Sequence, residues 1–168
     1  MLPDYKTKRL FLRSLTVDDA RFIFELVNTP GWIKFIGERN VKNLEDAVQY
    51  IQKIINNPNV EYLVVTLQDE QTTIGVISFI KRDYLDHHDI GFAFLPAYAG
   101  QGYAFEAAEA VLTDRLKLKE HATILATTLT DNHSSISLLK KLGFTFSKEI
   151  INEETLQLYS INSETNTR

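Results

Sequence analysis

A chain of 168 residues, 44% of them apolar and 24% charged, has the composition of one globular domain, and at this size about 70% of the unfolded surface is buried on folding. Its 18 basic and 22 acidic side chains sum to −4; with no basic stripe to compensate, a nucleic-acid backbone is repelled as a direct partner. The chain contains no cysteine, which excludes disulfides, thiolate zinc sites and cysteine nucleophiles, and no apolar run approaches the ~20 residues that span a bilayer or resembles a signal-peptide core. A single domain over residues 1–161, a flexible polar tail over 162–168 and a cytoplasmic location without membrane contact are the resulting expectations.

In chain order, residues 9–13 alternate charged and aliphatic side chains, predicting a strand with Leu10 and Leu12 inward. Thr16, with Asp19 three residues on, caps a helix whose Ala20, Ile23, Phe24 and Val27 share one face, and Asn-Thr-Pro-Gly at 28–31 stops it. A loop carrying Trp32, Phe35 and Gly37 leads to Asn43, which caps a second helix with Leu44, Val48, Ile51 and Ile55 as its apolar stripe. Residues 62–67 and 73–80 are β-branched-rich runs around a polar Gln-Asp-Glu-Gln, the pattern of a hairpin. Another strand, over 89–95, ends at Pro96 and passes through Gly100, Gln101 and Gly102 into a helix with Ala104, Ala107, Ala108, Val111 and Leu112 on one face. After a strand over 123–129, Ser134 opens a helix that faces Ile136, Leu139 and Leu142 inward and ends at Gly143, the left-handed residue beyond the last turn. Strands over 144–150 and 155–161 complete the order β-α-α-β-β-β-α-β-α-β-β, a mixed α/β domain.

Gly100-Gln101-Gly102 lies where a strand hands over to a helix, so bare backbone N–H groups and the positive helix end can meet an anion there. No Gly-Lys-Ser/Thr follows, against a P-loop, and Phe105 occupies the third glycine position of a dinucleotide fingerprint. The glycines alone favour a tight strand-to-helix turn that holds no ligand.

The longer stretch is more specific. Residues 89–107, Asp-Ile-Gly-Phe-Ala-Phe-Leu-Pro-Ala-Tyr-Ala-Gly-Gln-Gly-Tyr-Ala-Phe-Glu-Ala, resemble the acyl-CoA-binding motif of the GNAT N-acetyltransferases. Residues 132–144, which run from Asn132 through Ser135 to Gly143-Phe144, are similar to the Asn-x-x-Ser helix of the branch that includes ribosomal-protein N-terminal alanine acetyltransferases. The segments 7–13 and 35–39 resemble the same branch, so the likeness runs in order from about residue 7 to about residue 160.

This resemblance implies a mostly antiparallel mixed sheet flanked by helices and acetyl-CoA as co-substrate, with no metal. It implies direct transfer of the acetyl group to a primary amine: a protein N-terminus, or a small molecule such as a polyamine, antibiotic or amino acid. A homodimer is compatible with it. It further implies that the backbone of Phe92, Ala93, Phe94 and Leu95 serves the pantetheine and carbonyl, while Gly100, Gln101, Gly102, Tyr103 and Ala104 hold the pyrophosphate. Asn132 would bind the pantetheine or adjacent backbone, Ser135 would protonate the leaving thiolate, and Trp32, Phe35 and Glu38 fall where the family builds its acceptor pocket. Two departures stand out: Ala99 takes the motif's usually polar or aromatic first position, and Leu139 replaces the tyrosine that many members use as general acid. Leu139 keeps a non-catalytic CoA-binding domain as the alternative.

Direct transfer needs a proton removed from the amine. An α-amine of pKa near 8 is about a tenth neutral at pH 7, a lysine amine well under a thousandth, so an α-amine needs only a modest relay. Asp89 and Glu38 are the candidate bases; Asp89 also reads as a solvated acid at a strand start, and Glu38 as a partner of Arg39. His87 and His88 read as an exposed pair and His121 as a surface residue, and histidines without carboxylate spacing make a poor metal site. Glu106 suits the positive end of the helix it opens.

Overall fold

The computed structural model describes residues 1–165. The elements are β1 (Tyr5–Lys6), β2 (Leu10–Ser14), α1 (Ala20–Val27), α2 (Pro30–Phe35), α3 (Leu44–Ile55), β3 (Val60–Leu67), β4 (Thr73–Ile80), β5 (Asp89–Phe94), α4 (Tyr103–Arg115), β6 (Thr123–Leu129), α5 (His133–Leu142), β7 (Thr145–Asn152) and β8 (Glu154–Asn162). The strands form one sheet in the order β1-β2-β3-β4-β5-β6-β8-β7. Both faces are covered. Leu10, Leu12, Leu63, Ile77 and Ile90 pack against α4 and α5, whereas Val64 and Val76 pack under α1, α2 and α3. Cover on both sides explains why β3 and β4 read as near-continuous apolar runs rather than alternating ones.

Every strand pairing is antiparallel except β5 with β6, which are joined by the α4 crossover that a parallel pair requires. That ladder holds a single register pair, Asp89 with Leu125, secured by the Leu125 N–H donating to the His88 carbonyl at 2.9 Å. Beyond it the two strands part. On its other edge β5 stays paired with β4 as far as Leu95, whose N–H donates to the Ile74 carbonyl at 2.9 Å. Because backbone direction alternates along an antiparallel ladder, Gly91 and Ala93 also turn toward β4, and Phe92 and Phe94 turn toward the gap.

Several expectations are corrected. Asn-Thr-Pro-Gly ends α1 but also starts α2, because the Thr29 hydroxyl caps the Trp32 N–H at 3.4 Å and Pro30 sits in the first turn, where its missing N–H costs nothing. Trp32 and Phe35 are therefore helical rather than in a loop. A short strand, β1, precedes the expected first one. Thr16 and Asp19 form their capping box around one 3-10 turn before α1, and the buried Asp19 takes Arg13 at 2.7 Å. In α3 the buried residues are Ala47, Ile51 and Ile54, while Leu44 and Ile55 are 42% and 51% exposed. Ala47, Ile51 and Ile54 face the core shared with α1 and α2, and Leu44 and Ile55 lie at the rim of that face. Asn132, not Ser134, caps α5. Of the expected tail, Asn162 ends β8 and residues 166–168 lie outside the described residues.

His121 is not a surface residue: it is 8% exposed, and it meets the Phe79 and His88 rings edge-on at centroid distances of 5.0 and 4.8 Å. His88 stacks on Phe79 at 4.8 Å, beside the one β5–β6 register pair. Burial first, and then the neighbouring His121 charge, lowers the His88 pKa; burial likewise lowers that of His121. Both are thus depressed in the folded state, so the unfolded chain binds more protons and stability is lost as pH falls through about 6.5. The midpoint of thermal unfolding is expected to drop between pH 7.5 and pH 5.5, and His121→Phe is expected to flatten that drop.

Candidate active site

Gly100 and Gly102 have φ of 73° and 82°, left-handed values that glycine adopts without strain. They turn the chain from Tyr98 into α4, whose first N–H groups have no carbonyl within the helix to bond and so are available to an anion. The loop is held from the far end of the chain. Arg9 donates through Nη1 to the Gln101 carbonyl at 3.0 Å and through Nε to Glu106 Oε1 at 2.8 Å, and its guanidinium lies 4.3 Å from the Tyr103 ring centroid. Glu106 also accepts from the Arg9 N–H at 3.0 Å and the Thr7 hydroxyl at 2.5 Å. Burial alone would raise the Glu106 pKa, but the Thr7 and Arg9 hydrogen bonds hold it below its ordinary value. Glu106 is thus the anchor of the glycine loop as well as a helix-end acid.

The gap between β5 and β6 opens a cavity of about 340 Å³, within the range of small-ligand sites. Of the four backbone positions expected to serve pantetheine and carbonyl, Phe92 and Phe94 face the gap, while Ala93 and Leu95 face β4. A Cβ at Gly75 would overlap the Phe94 ring, so that glycine is what allows the ring to lie across β4. From α5, Asn132, Ser135 and Leu139 line the cavity. Asn132 Oδ1 accepts the Ser135 N–H at 3.2 Å, and the Ser135 hydroxyl engages no partner among the described residues. Leu139, at the family's tyrosine position, fills the wall with an apolar side chain.

On the α1–α3 face, Asp89 is 2% exposed and bonded to Arg82 Nε at 2.5 Å. It is therefore not a solvated strand-start acid. Burial holds its carboxyl above the usual carboxylate range, and the Arg82 guanidinium offsets only part of that rise. Gly91 stands beside it; a Cβ there would come within 2.6 Å of Ser78 Oγ, so glycine keeps the cavity floor open. Trp32 and Phe35 line the cavity as expected, but Glu38 does not: it is exposed and accepts the Asn40 N–H at 2.8 Å. Its neighbour Arg39 enters instead, 5.9 Å from the Trp32 ring centroid. Glu153, in the β7–β8 turn, and Glu154, the first residue of β8, line the cavity from the β8 side, both exposed. No motif pointed to Arg82, Glu153 or Glu154, since each reaches the cavity only through the fold, and Arg39, although inside the 35–39 segment, was read only as a partner of Glu38.

The loop assignment is open to a direct check. Gly102→Val places a β-branched residue at φ of 82° and is expected to abolish CoA binding measured by calorimetry. A variant that binds CoA as tightly as the parent would remove this loop from the cofactor site.

Comparison with known proteins fits this geometry. Residues 9–145 match the Acetyltransferase (GNAT) domain family. The Bacillus subtilis protein named Uncharacterized N-acetyltransferase YnaD is 36% identical over 137 residues, 82% of this chain and 79% of that protein. The ribosomal-protein-S5-alanine acetyltransferase of Vibrio fischeri superposes with a TM-score of 0.80 at 20% identity, covering 97% of this chain and 98% of that one. The spermidine N-acetyltransferase of Vibrio cholerae, solved with CoA and spermine, superposes with a TM-score of 0.78 at 19% identity, covering 94% and 98%. These two structures establish a shared fold. With the domain match and the YnaD relationship, the conclusion is that the chain belongs to the GNAT acetyltransferase family and is an acetyl-CoA-dependent N-acetyltransferase.

Proposed function

We propose that the acceptor group is an α-amine, carried by a peptide N-terminus or by a small amino compound, and that it attacks the thioester directly. The observation that carries this reading is the state of Asp89, the carboxylate on the reacting strand: buried, and already bonded to Arg82. Such a group can relay one proton through water from an amine that is partly neutral at pH 7. It is poorly suited to an amine of pKa near 10, whose neutral form is under a thousandth of the total.

Acetyl-CoA supplies the activated acetyl group. A bond forms between the amine nitrogen and the acetyl carbon as the carbon–sulfur bond breaks; the nitrogen loses one proton and the sulfur gains one. In the proposed arrangement the Phe92 N–H donates to the oxygen on which charge develops, and the Phe94 backbone holds the pantetheine. Ser135 gives the proton to sulfur, its unengaged hydroxyl taking the role that Leu139 cannot fill. Arg82 orients Asp89 toward the incoming amine. Asn132 supports Ser135 by capping its N–H.

Glu153 and Glu154 on the cavity wall favour a second reading, a polycationic amine. The pH–rate profile of Asp89→Asn separates the two. With an α-amine acceptor the variant is expected to keep substantial activity and to recover as pH passes about 8, where the amine loses its own proton. A lysine-like or polyamine acceptor would lose far more and recover only toward pH ~10. Unreduced activity in Asp89→Asn at pH 6.5 would take Asp89 out of the proton path. Binding of CoA without thiol release across an amine panel would mark a non-catalytic domain.

A further inference from the structure

We propose that the acceptor is zwitterionic, an amino carboxylate whose anionic group is read by Trp32 and Arg39; the proposal rests on the α-amine reading above. Trp32 forms part of the cavity wall, is 4% exposed, and its indole N–H has no acceptor among the described residues. A buried donor without a partner is rare in folded proteins and marks a missing acceptor. Arg39 lines the same cavity beside the Trp32 ring and takes part in no ion pair among the described residues. The other guanidinium of the cavity, Arg82, is already committed to Asp89. A buried neutral donor and, at the exposed rim of the same cavity, a cation thus stand close together with no acceptor among the described residues.

From the β8 side come the opposite charges. Glu153 and Glu154 stand exposed at the cavity's β8 rim and form no ion pair among the described residues. A site with an uncommitted cation on the α2 side and uncommitted carboxylates on the β8 side matches a ligand that carries both signs. A polyamine would answer the carboxylates but would set its charges beside Arg39 and leave the Trp32 N–H unmet, the arrangement that selects against a ligand. An uncharged peptide carbonyl would satisfy the indole but not the guanidinium. Phe35, Tyr62 and Tyr84 add aromatic wall, which suits an apolar or aromatic side chain on the acceptor.

The test compares matched acceptors. The common amino acids, each also as its carboxamide and as its decarboxylated amine, are assayed by thiol release from acetyl-CoA, together with spermine and a C-terminally amidated alanyl peptide. The best free acid is expected to exceed its own amide and amine at least tenfold in kcat/KM. Trp32→Phe, which keeps the ring and removes the N–H, and Arg39→Gln are each expected to raise KM for the acid about ten- to a hundredfold, the range for a lost hydrogen bond to a charged group. Both changes should pull the acid-to-amide ratio toward one, and Arg39→Lys should restore part of it. An amide, amine, peptide or spermine preferred over every free acid would overturn the proposal, as would a ratio unaltered in both variants. Calorimetric titration of the same acids and amides into the CoA-bound protein reads the inference without turnover. Tighter binding of an acid with no thiol release would sustain zwitterion recognition and reject the transfer reading; equal binding of acid and amide would reject zwitterion recognition alone.

Discussion

The candidate cavity exists because one strand pairing stops almost as soon as it starts. β5 and β6 share a single register pair, Asp89 with Leu125, and then part while β5 keeps its full ladder to β4. A strand interior normally spends all its backbone donors on its neighbours. Here the Phe92 and Phe94 groups are left facing a gap, and the site is assembled around them. α4, which must cross from β5 to β6, brings its N-terminus and the two left-handed glycines to one end of the gap; α5 brings Asn132 and Ser135 to its wall.

The closed and open ends of the gap are each secured by contacts of a different kind. At the closed end lie the His88 backbone bond to Leu125 and the packed rings of Phe79, His88 and His121. Asp89 sits at the same point, buried and paired with Arg82, so the one residue of β5 that pairs with β6 is also the carboxylate to which the proposed proton relay is assigned. At the other end the glycine loop has no strand neighbour to hold it. Glu106 and Arg9, 97 residues apart in the chain, perform that task, fixing the Gln101 carbonyl and thereby the direction of the amides that follow. With Ala99 at the motif's first position, this tether is the charged side-chain contact made to the loop among the described residues.

What could be read from the chain alone follows the range of the interaction. Periodicity placed the strands from β2 onward and the inward face of α4, because those depend on neighbours within a few residues; in α1 it found Ala20, Ile23 and Val27 but missed the buried Phe22 and Leu26. It misplaced the rim of α3, where Ala47 rather than Leu44 is buried, and it missed α2, where Pro30 serves as both stop and start. The glycine loop and the Asn132–Ser135 turn were legible because each is a contiguous run of residues. Asp89 was visible as a candidate, but its burial and its bond to Arg82 were not, since nothing local fixes what the loop before β5 folds against. Glu38 looked equivalent to Asp89 on chemistry, yet the turn to Asn40 takes it away from the cavity, whose exposed rim receives Arg39 instead. The partial separation of β5 and β6 left no mark at all in either strand's composition, because an apolar run does not record how many partners it has.

That separation is the claim on which the rest depends, and amide hydrogen exchange resolved by residue measures it directly. In the ligand-free protein the Phe92 and Phe94 amides are expected to exchange quickly, while Ala93 and Leu95 between them stay protected by β4. Addition of acetyl-CoA is expected to slow Phe92 and Phe94 and to leave Ala93 and Leu95 as they were. Equal protection of all four amides before ligand is added would mean that β5 and β6 do not part, and Phe92 and Phe94 amides that stay fast with acetyl-CoA bound would place the thioester elsewhere.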